Sequence, residues 1–306
     1  MIEPTLNYVR CAGASSTAPD HHRMAYWQWN GTDDPGHSHV IVCVHGLSRQ
    51  GRDFDVLARA LGAHARVVCP DVVGRGQSDW LRDPAGYQIP LYAADILALL
   101  AQLHAEAPIH MLDWVGTSMG GLIGMVVAGQ PGLPLPAPVR RLLLNDVGPV
   151  IQWEALARIG QYLGQPVRFA SLQQAADALA LISAGFGPHT PAQWLELTRH
   201  MVRPLPEGGF ALHYDPAIAV PFRAVTREAS AEGEAQLWRL YDAITAKTLL
   251  VRGRQSDLLS EATARAMGQR GPRARLVELP GIGHAPTFVA DDQVALAASF
   301  LLQEDA

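Results

Sequence analysis

The chain predicts an α/β fold built on a doubly wound, mostly parallel sheet, and three observations carry that prediction. Short continuous apolar runs recur through residue 146 with helical stretches between them. Residues with reactive side chains fall just past the ends of those runs. The alternation stops near residue 148 and resumes near residue 246, so an inserted unit is expected inside a single larger domain.

Taken in order, residues 1 to 23 read as polar and irregular, and Met24 to Trp29 alternates like an early strand. Val40 to Val44 is a continuous apolar run, the pattern of a parallel strand buried on both faces. It ends in His45-Gly46-Leu47. Phe54 to Leu61 reads as a helix, and Val67 to Cys69 as the next strand, ending at Pro70-Asp71. The loop Gly74-Arg75-Gly76-Gln77-Ser78-Asp79 has the composition of a phosphate cradle, but no G-K-[ST] follows it and nucleotide binding is not supported. Pro90 opens a helix with Ile96, Leu97, Leu99, Leu100 and Leu103 on its apolar face.

An apolar run from Ile109 to Val115 then leads into Gly116-Thr117-Ser118-Met119-Gly120-Gly121, and a helix starts beyond it. A serine at the tip of a sharp strand-to-helix turn takes strained backbone angles. The residues two places either side must be small for the chain to pass, which is the G-x-S-x-G spacing. Arg141 to Asp146 is a strand ending in an acid. From Gly148 to about Thr245 the chain reads as helical, with Ile151 to Leu163, Leu172 to Ile182 and Ala192 to Met201 as helices. The expected organisation is a core of residues 1–147 and 246–306, with 148–245 as a helical cap. Thr248 to Gly253 and Arg275 to Leu279 are the last strands. Gln255-Ser256-Asp257 and Gly281-Ile282-Gly283-His284-Ala285-Pro286 follow them, and a helix from about Asp291 closes the chain.

Bulk properties narrow the function. The chain has 306 residues, 48% hydrophobic and 17% charged, which suits a compact protein with a sizeable core. A net charge of −5 without a basic run argues against a nucleic-acid partner. No apolar stretch reaches bilayer-spanning length, and Met1 to Asp20 lacks a basic region followed by an apolar one, so neither membrane nor secretion is expected. Cys11, Cys43 and Cys69 form no framework and read as buried hydrophobes of a reducing, cytoplasmic compartment. The single lysine, Lys247, and the abundant alanine point to a GC-rich bacterial source. His21, His22, His37 and His39 cluster in sequence without a cysteine or carboxylate ligand pattern, so no metal is expected there.

The residues beyond the strand ends include a nucleophile, a base and an orienting acid in the order Ser…Asp…His. A serine hydroxyl needs a base to take its proton, and an imidazole in that role needs a carboxylate to fix its tautomer. Ser118 is the nucleophile and His284 the base. Two acids end strands, Asp146 and Asp257, and Asp257 is favoured. The backbone N–H groups of Leu47 and Met119 are expected to form the oxyanion hole. His45 is expected to shape its loop by a hydrogen bond and not to transfer protons.

His45-Gly46, the Gly74 to Asp79 loop, the Ser118 turn, Ser256-Asp257 and Gly283-His284-Ala285-Pro286 together resemble the α/β-hydrolase superfamily, in order and approximate spacing, across nearly the whole chain. That resemblance implies an eight-stranded, mostly parallel sheet with a cap after the sixth strand, and a triad of Ser118, Asp257 and His284. Serine at the elbow, where epoxide hydrolases and haloalkane dehalogenases carry aspartate, points to hydrolysis of small to medium apolar carboxylic esters through an acyl-enzyme. The alternative is a carbon–carbon bond or enol-lactone hydrolase of a catabolic pathway, which Ala285 after the histidine weakens. A ligand receptor on the same fold is a third class. The expected partner is a small-molecule ester, with no cofactor.

Overall fold

The computed structural model describes residues 2–13 and 21–303. The sequence reading of Met1 to Asp20 falls partly on residues 1 and 14–20, outside the described residues. The chain begins with β1 (Thr5–Ala12), β2 (His21–Trp29), β3 (His39–Val44), α1 (Asp55–Leu61), β4 (Arg66–Pro70) and α2 (Ile89–Glu106). It continues with β5 (Met111–Thr117), α3 (Met119–Gly129) and β6 (Val139–Asn145). Between β6 and the next core strand lie α4 (Trp153–Tyr162), β7 (Arg168–Phe169), α5 (Leu172–Ile182), α6 (Pro191–Arg199), β8 (Val202–Pro204), β9 (Phe210–Leu212), α7 (Ala219–Arg223) and α8 (Arg227–Ala243). β10 (Lys247–Gly253), α9 (Glu261–Met267), β11 (Arg275–Leu279) and α10 (Asp291–Leu301) complete it.

Eight strands form one sheet in the order β1-β2-β4-β3-β5-β6-β10-β11. The pairs β1–β2 and β2–β4 are antiparallel, and every pair from β4 to β11 is parallel. The apolar run in β3 is continuous because both faces are covered. Val40, Val42 and Val44 pack with Ile96, Leu99 and Leu103 of α2 and Ile123 of α3. Ile41 and Cys43 pack with Leu57 and Leu61 of α1 and Phe300 and Leu301 of α10. Each such side chain withdrawn from water contributes roughly 1.5–3 kcal/mol, so these two layers fix the sheet between its helices.

Three features depart from the sequence reading. Residues 5–12 form an edge strand where irregular chain was expected; only Val9 and Cys11 of it are buried, too few to give a hydrophobic signal. The stretch after β6 is not wholly helical. It carries a small antiparallel sheet, β7-β9-β8, around Phe169, Ala175 and Val202, and strands of two or three residues are too short to show alternation. Finally, α8 packs on α3: a Cβ on Gly129 would lie 2.2 Å from the Leu240 carbonyl oxygen. It is the helix a β6–β10 parallel crossover requires on the sheet face. The expected boundary at residue 245 thus takes in a helix that packs with the sheet.

Candidate active site

Ser118 stands between β5 and α3 with φ 52° and ψ −116°, a left-handed value that costs a non-glycine residue on the order of 1–3 kcal/mol. Its neighbours explain how the turn closes. A Cβ on Gly116 would lie 2.4 Å from the Gly120 oxygen, and one on Gly120 would lie 2.0 Å from the Val44 oxygen. The Ser118 N–H donates to the Asn145 carbonyl at 3.0 Å, and the N–H groups of Gly121 and Leu122 donate to the Ser118 carbonyl. The hydroxyl is thereby held above the sheet at its carboxyl edge.

His284 brings Nε2 to 3.0 Å from the Ser118 Oγ and Nδ1 to 2.7 Å from Asp146 Oδ2. A carboxylate only accepts, so Nδ1 carries the proton and Nε2 accepts from the serine hydroxyl. Asp146 is fully buried. Its Oδ1 accepts from the Gly253 N–H at 2.9 Å, and its Oδ2 accepts from the Ser256 hydroxyl at 2.6 Å. The Ser256 oxygen in turn accepts from the N–H groups of Leu258 and Leu259. These bonds leave the carboxylate one orientation toward the imidazole.

The expectation that Asp257 meets His284 is corrected. Asp257 points outward, its side chain 55% exposed, and pairs with Arg158 of α4 at 2.6 Å. Physically, β6 lies beside β10, so an acid at the end of β6 reaches across β10 to the histidine loop. Gly253, the last residue of β10, permits this: a Cβ there would lie 2.1 Å from the Gly283 carbonyl oxygen. Ser256, one residue before Asp257, is the side chain that turns inward. Sequence reasoning gave Ser256 no role of its own; its place in a polar turn after a strand was the available signal.

Leu47 and Met119 lie past two neighbouring strand ends, since Val44 pairs with Gly116 across β3 and β5. A Cβ on Gly46 would lie 3.7 Å from the Ser118 Cβ. Met119 is the first residue of α3, where backbone N–H groups have no intrahelical acceptor. His45 is fully buried, with Nδ1 donating to the Gly46 carbonyl at 2.7 Å and Nε2 accepting from the Val72 N–H at 2.9 Å. Burial pushes its pKa down to about 3, so the ring is neutral and both nitrogens are occupied by backbone.

Residues of the inserted stretch reach the same region. The Gly283 N–H donates to the Gly185 carbonyl at 2.6 Å, and His189 Nε2 lies 2.8 Å from the Thr287 Oγ1. Phe186 joins His45, Gly46, Thr117 and Thr287 in lining a cavity of about 40 Å³. On the other side, α4 packs through Ala155 and Ile159 on Val147, Leu258 and Leu122.

Two of the early histidines are paired within the scaffold. His22 meets Asp95 at 2.8 Å and His39 meets Asp113 at 2.7 Å. Among the described residues, Cys11, His22 and Asp95 bring three metal-binding side chain types together. The fit to a metal is poor, because the imidazole and carboxylate are at hydrogen-bond separation and burial, aided by Asp95, pushes the thiol pKa far up into its non-ligating form.

The sequence profile of the alpha/beta hydrolase family matches residues 41–298, and the chain belongs to that family; its chemistry is that of a hydrolase. It is 50% identical over 300 residues to the 3-hydroxybutyrate-oligomer hydrolase of Cupriavidus necator, covering 97% of each chain. It is 25% identical over 252 residues to the 2-(acetamidomethylene)succinate hydrolase of Mesorhizobium japonicum, covering 82% of this chain and 83% of that one. A crystal structure of an alpha/beta hydrolase from Novosphingobium aromaticivorans superposes with a TM-score of 0.83 and 34% identity, covering 99% of this chain and 100% of that one.

Proposed function

We propose that the chain hydrolyses the ester bonds of short 3-hydroxybutyrate oligomers, with Ser118 as nucleophile, His284 as base and Asp146 as the orienting acid. The observation that carries the substrate class is the 50% identity to the Cupriavidus necator enzyme over 97% of both chains. The reading of the chemistry is supported by the 3.0 Å and 2.7 Å contacts of His284.

In this reading the Ser118 oxygen attacks the ester carbonyl carbon while His284 Nε2 takes the hydroxyl proton. The carbonyl oxygen becomes an oxyanion that accepts from the N–H groups of Leu47 and Met119, each donor lowering the barrier by about 3 kcal/mol. The C–O bond then breaks, and His284 returns its proton to the leaving hydroxyl of the next unit. Water, deprotonated by His284, attacks the acyl carbon; the bond to the Ser118 oxygen breaks as His284 returns the proton to that oxygen, and the free acid leaves. Asp146 keeps the imidazole in the tautomer that accepts from serine and stabilises the imidazolium between steps. No cofactor takes part. The stretch from 148 to about 226 acts as a cap that sets the acyl and alcohol groups admitted, and the enzyme works in the cytoplasm on a small-molecule ester.

The test is release of 3-hydroxybutyrate from its dimer and trimer by wild type and Ser118→Ala, followed by chromatography. Serine-dependent release is expected. Rapid turnover of p-nitrophenyl esters with no release from the oligomers would reject the substrate, and equal rates in the variant would reject the mechanism.

A further inference from the structure

The glycine-flanked Arg75 has no place in the mechanism above, yet its side chain is fully buried between the two segments of the oxyanion hole. Its Nε donates to the Leu47 carbonyl at 2.8 Å, Nη1 to the Val73 carbonyl at 2.7 Å, and Nη2 lies 3.5 Å from the Met119 sulfur. The guanidinium carbon lies 4.9 Å from the centre of the Tyr92 ring and 5.9 Å from that of Tyr87. Among the described residues no carboxylate hydrogen-bonds it. Gly74 and Gly76 take φ of 85° and 52°, and a Cβ on Gly76 would lie 2.2 Å from Asp71 Oδ2, so the flanking glycines let the loop fold tightly around the arginine.

The same loop is bonded to the inserted stretch. Arg75 bridges Tyr214 in antiparallel fashion, the Asp215 N–H donates to the Gly74 carbonyl at 2.7 Å, and the Gly76 N–H donates to the His213 carbonyl at 3.0 Å. The Tyr87 hydroxyl donates to Asp215 at 2.5 Å. One arginine therefore touches both residues whose N–H groups would face the oxyanion and, through its backbone, the cap.

We propose that Arg75 is a positioning residue of the oxyanion hole, holding Leu47 and Met119 in register with each other and with the cap. The proposal rests on the serine-hydrolase reading. A guanidinium with donors in a fixed planar fork can hold the Leu47 and Val73 carbonyls at once while lying against the tyrosine rings, a geometry that the compact ammonium of lysine does not reproduce. Losing it would loosen both donors while leaving Ser118, His284 and Asp146 in place.

The experiment compares wild type, Arg75→Lys, Arg75→Met and Ser118→Ala on one p-nitrophenyl ester. It also measures inhibition by an alkylboronic acid, which forms a tetrahedral adduct on the serine with an oxygen in the hole. For both arginine variants kcat is expected to fall at least about 30-fold, with KM changing less than about 3-fold, and boronate affinity to fall in parallel with kcat/KM. Arg75→Lys should keep more activity than Arg75→Met. A kcat within about 3-fold of wild type, or unchanged boronate affinity of the folded protein, would overturn the proposal. So would failure of both variants to fold, which would make Arg75 purely structural. Ser118→Ala separates the two readings: an inactive serine variant beside unaffected arginine variants rejects only the role of Arg75, whereas an active serine variant rejects the serine-hydrolase reading itself.

Discussion

Asp146 and Asp257 both follow strands, and only one of them touches His284. On the proposed mechanism, Asp146→Asn lowers kcat by on the order of 10³–10⁴, because an amide cannot hold the accepting tautomer. Asp257→Asn breaks an exposed pair with Arg158, and its kcat should stay within about 3-fold of wild type, with stability changed by no more than about 1 kcal/mol. Steady-state kinetics and thermal melts of the two variants decide this. His45 gives a pH prediction. Its folded pKa of about 3 lies below its ordinary 6.5, so between those values the unfolded chain binds the proton and the folded one does not. Its contribution to stability is full above pH 6.5 and is lost as pH falls toward 3. Asp71 acts oppositely: burial raises its pKa to about 6 from 3.8, and its contribution falls as pH rises through that window. Melting of wild type alone mixes the two, so the readout is the wild-type Tm minus that of His45→Gln, expected to shrink from pH 7 to pH 4. A difference constant with pH would contradict a neutral buried His45. That Ser118 and His284 come together was legible in the sequence, because serine turns between strand and helix and glycine-rich histidine loops have local signatures. Which carboxylate meets the imidazole was not, since that depends on how far a side chain reaches across the end of β10.

The strand–turn–helix around Ser118 is the element most constrained by sterics. Gly120→Ala would drive a Cβ into the Val44 carbonyl, and the variant should lose at least about 3 kcal/mol or fail to fold. Gly233, inside α8, is the opposite case: a Cβ there would meet nothing within 4 Å, and its φ is not positive. Gly233→Ala should stabilise by roughly 0.5–1 kcal/mol. Calorimetry of the pair tests whether close backbone approach, and not glycine itself, sets the requirement. The inner parallel strands β3, β4, β5, β6 and β10 were legible because each carries a buried apolar run. The edge strand β1 and the three short strands after β6 were not, because their stability comes from partners distant in sequence. The crossover role of α8 was hidden for a related reason: Tyr241 is its one buried residue, and its packing depends on the small residue Gly129 of α3.

Across the whole molecule, the sheet carries the reactive residues and the stretch from 148 to about 226 leans on them from two sides. It meets the histidine loop through Gly185 and His189, and the arginine loop through His213, Tyr214 and Asp215. On the proposed mechanism, substrate choice and the geometry of the oxyanion hole depend on the same contacts, so exchanging this stretch for that of a distant relative should change kcat as well as KM. No helix among the described residues is long and apolar enough to cross a membrane. Incubating purified wild type and Ser118→Ala with the 3-hydroxybutyrate trimer, and quantifying dimer and monomer over time, separates oligomer hydrolysis at Ser118 from other activities. Progressive release by wild type is expected, at a rate at least about 10³-fold above that of the variant. An intact trimer after prolonged incubation with folded wild type would rule out oligomer hydrolysis, and equal release by both proteins would rule out Ser118 as the nucleophile.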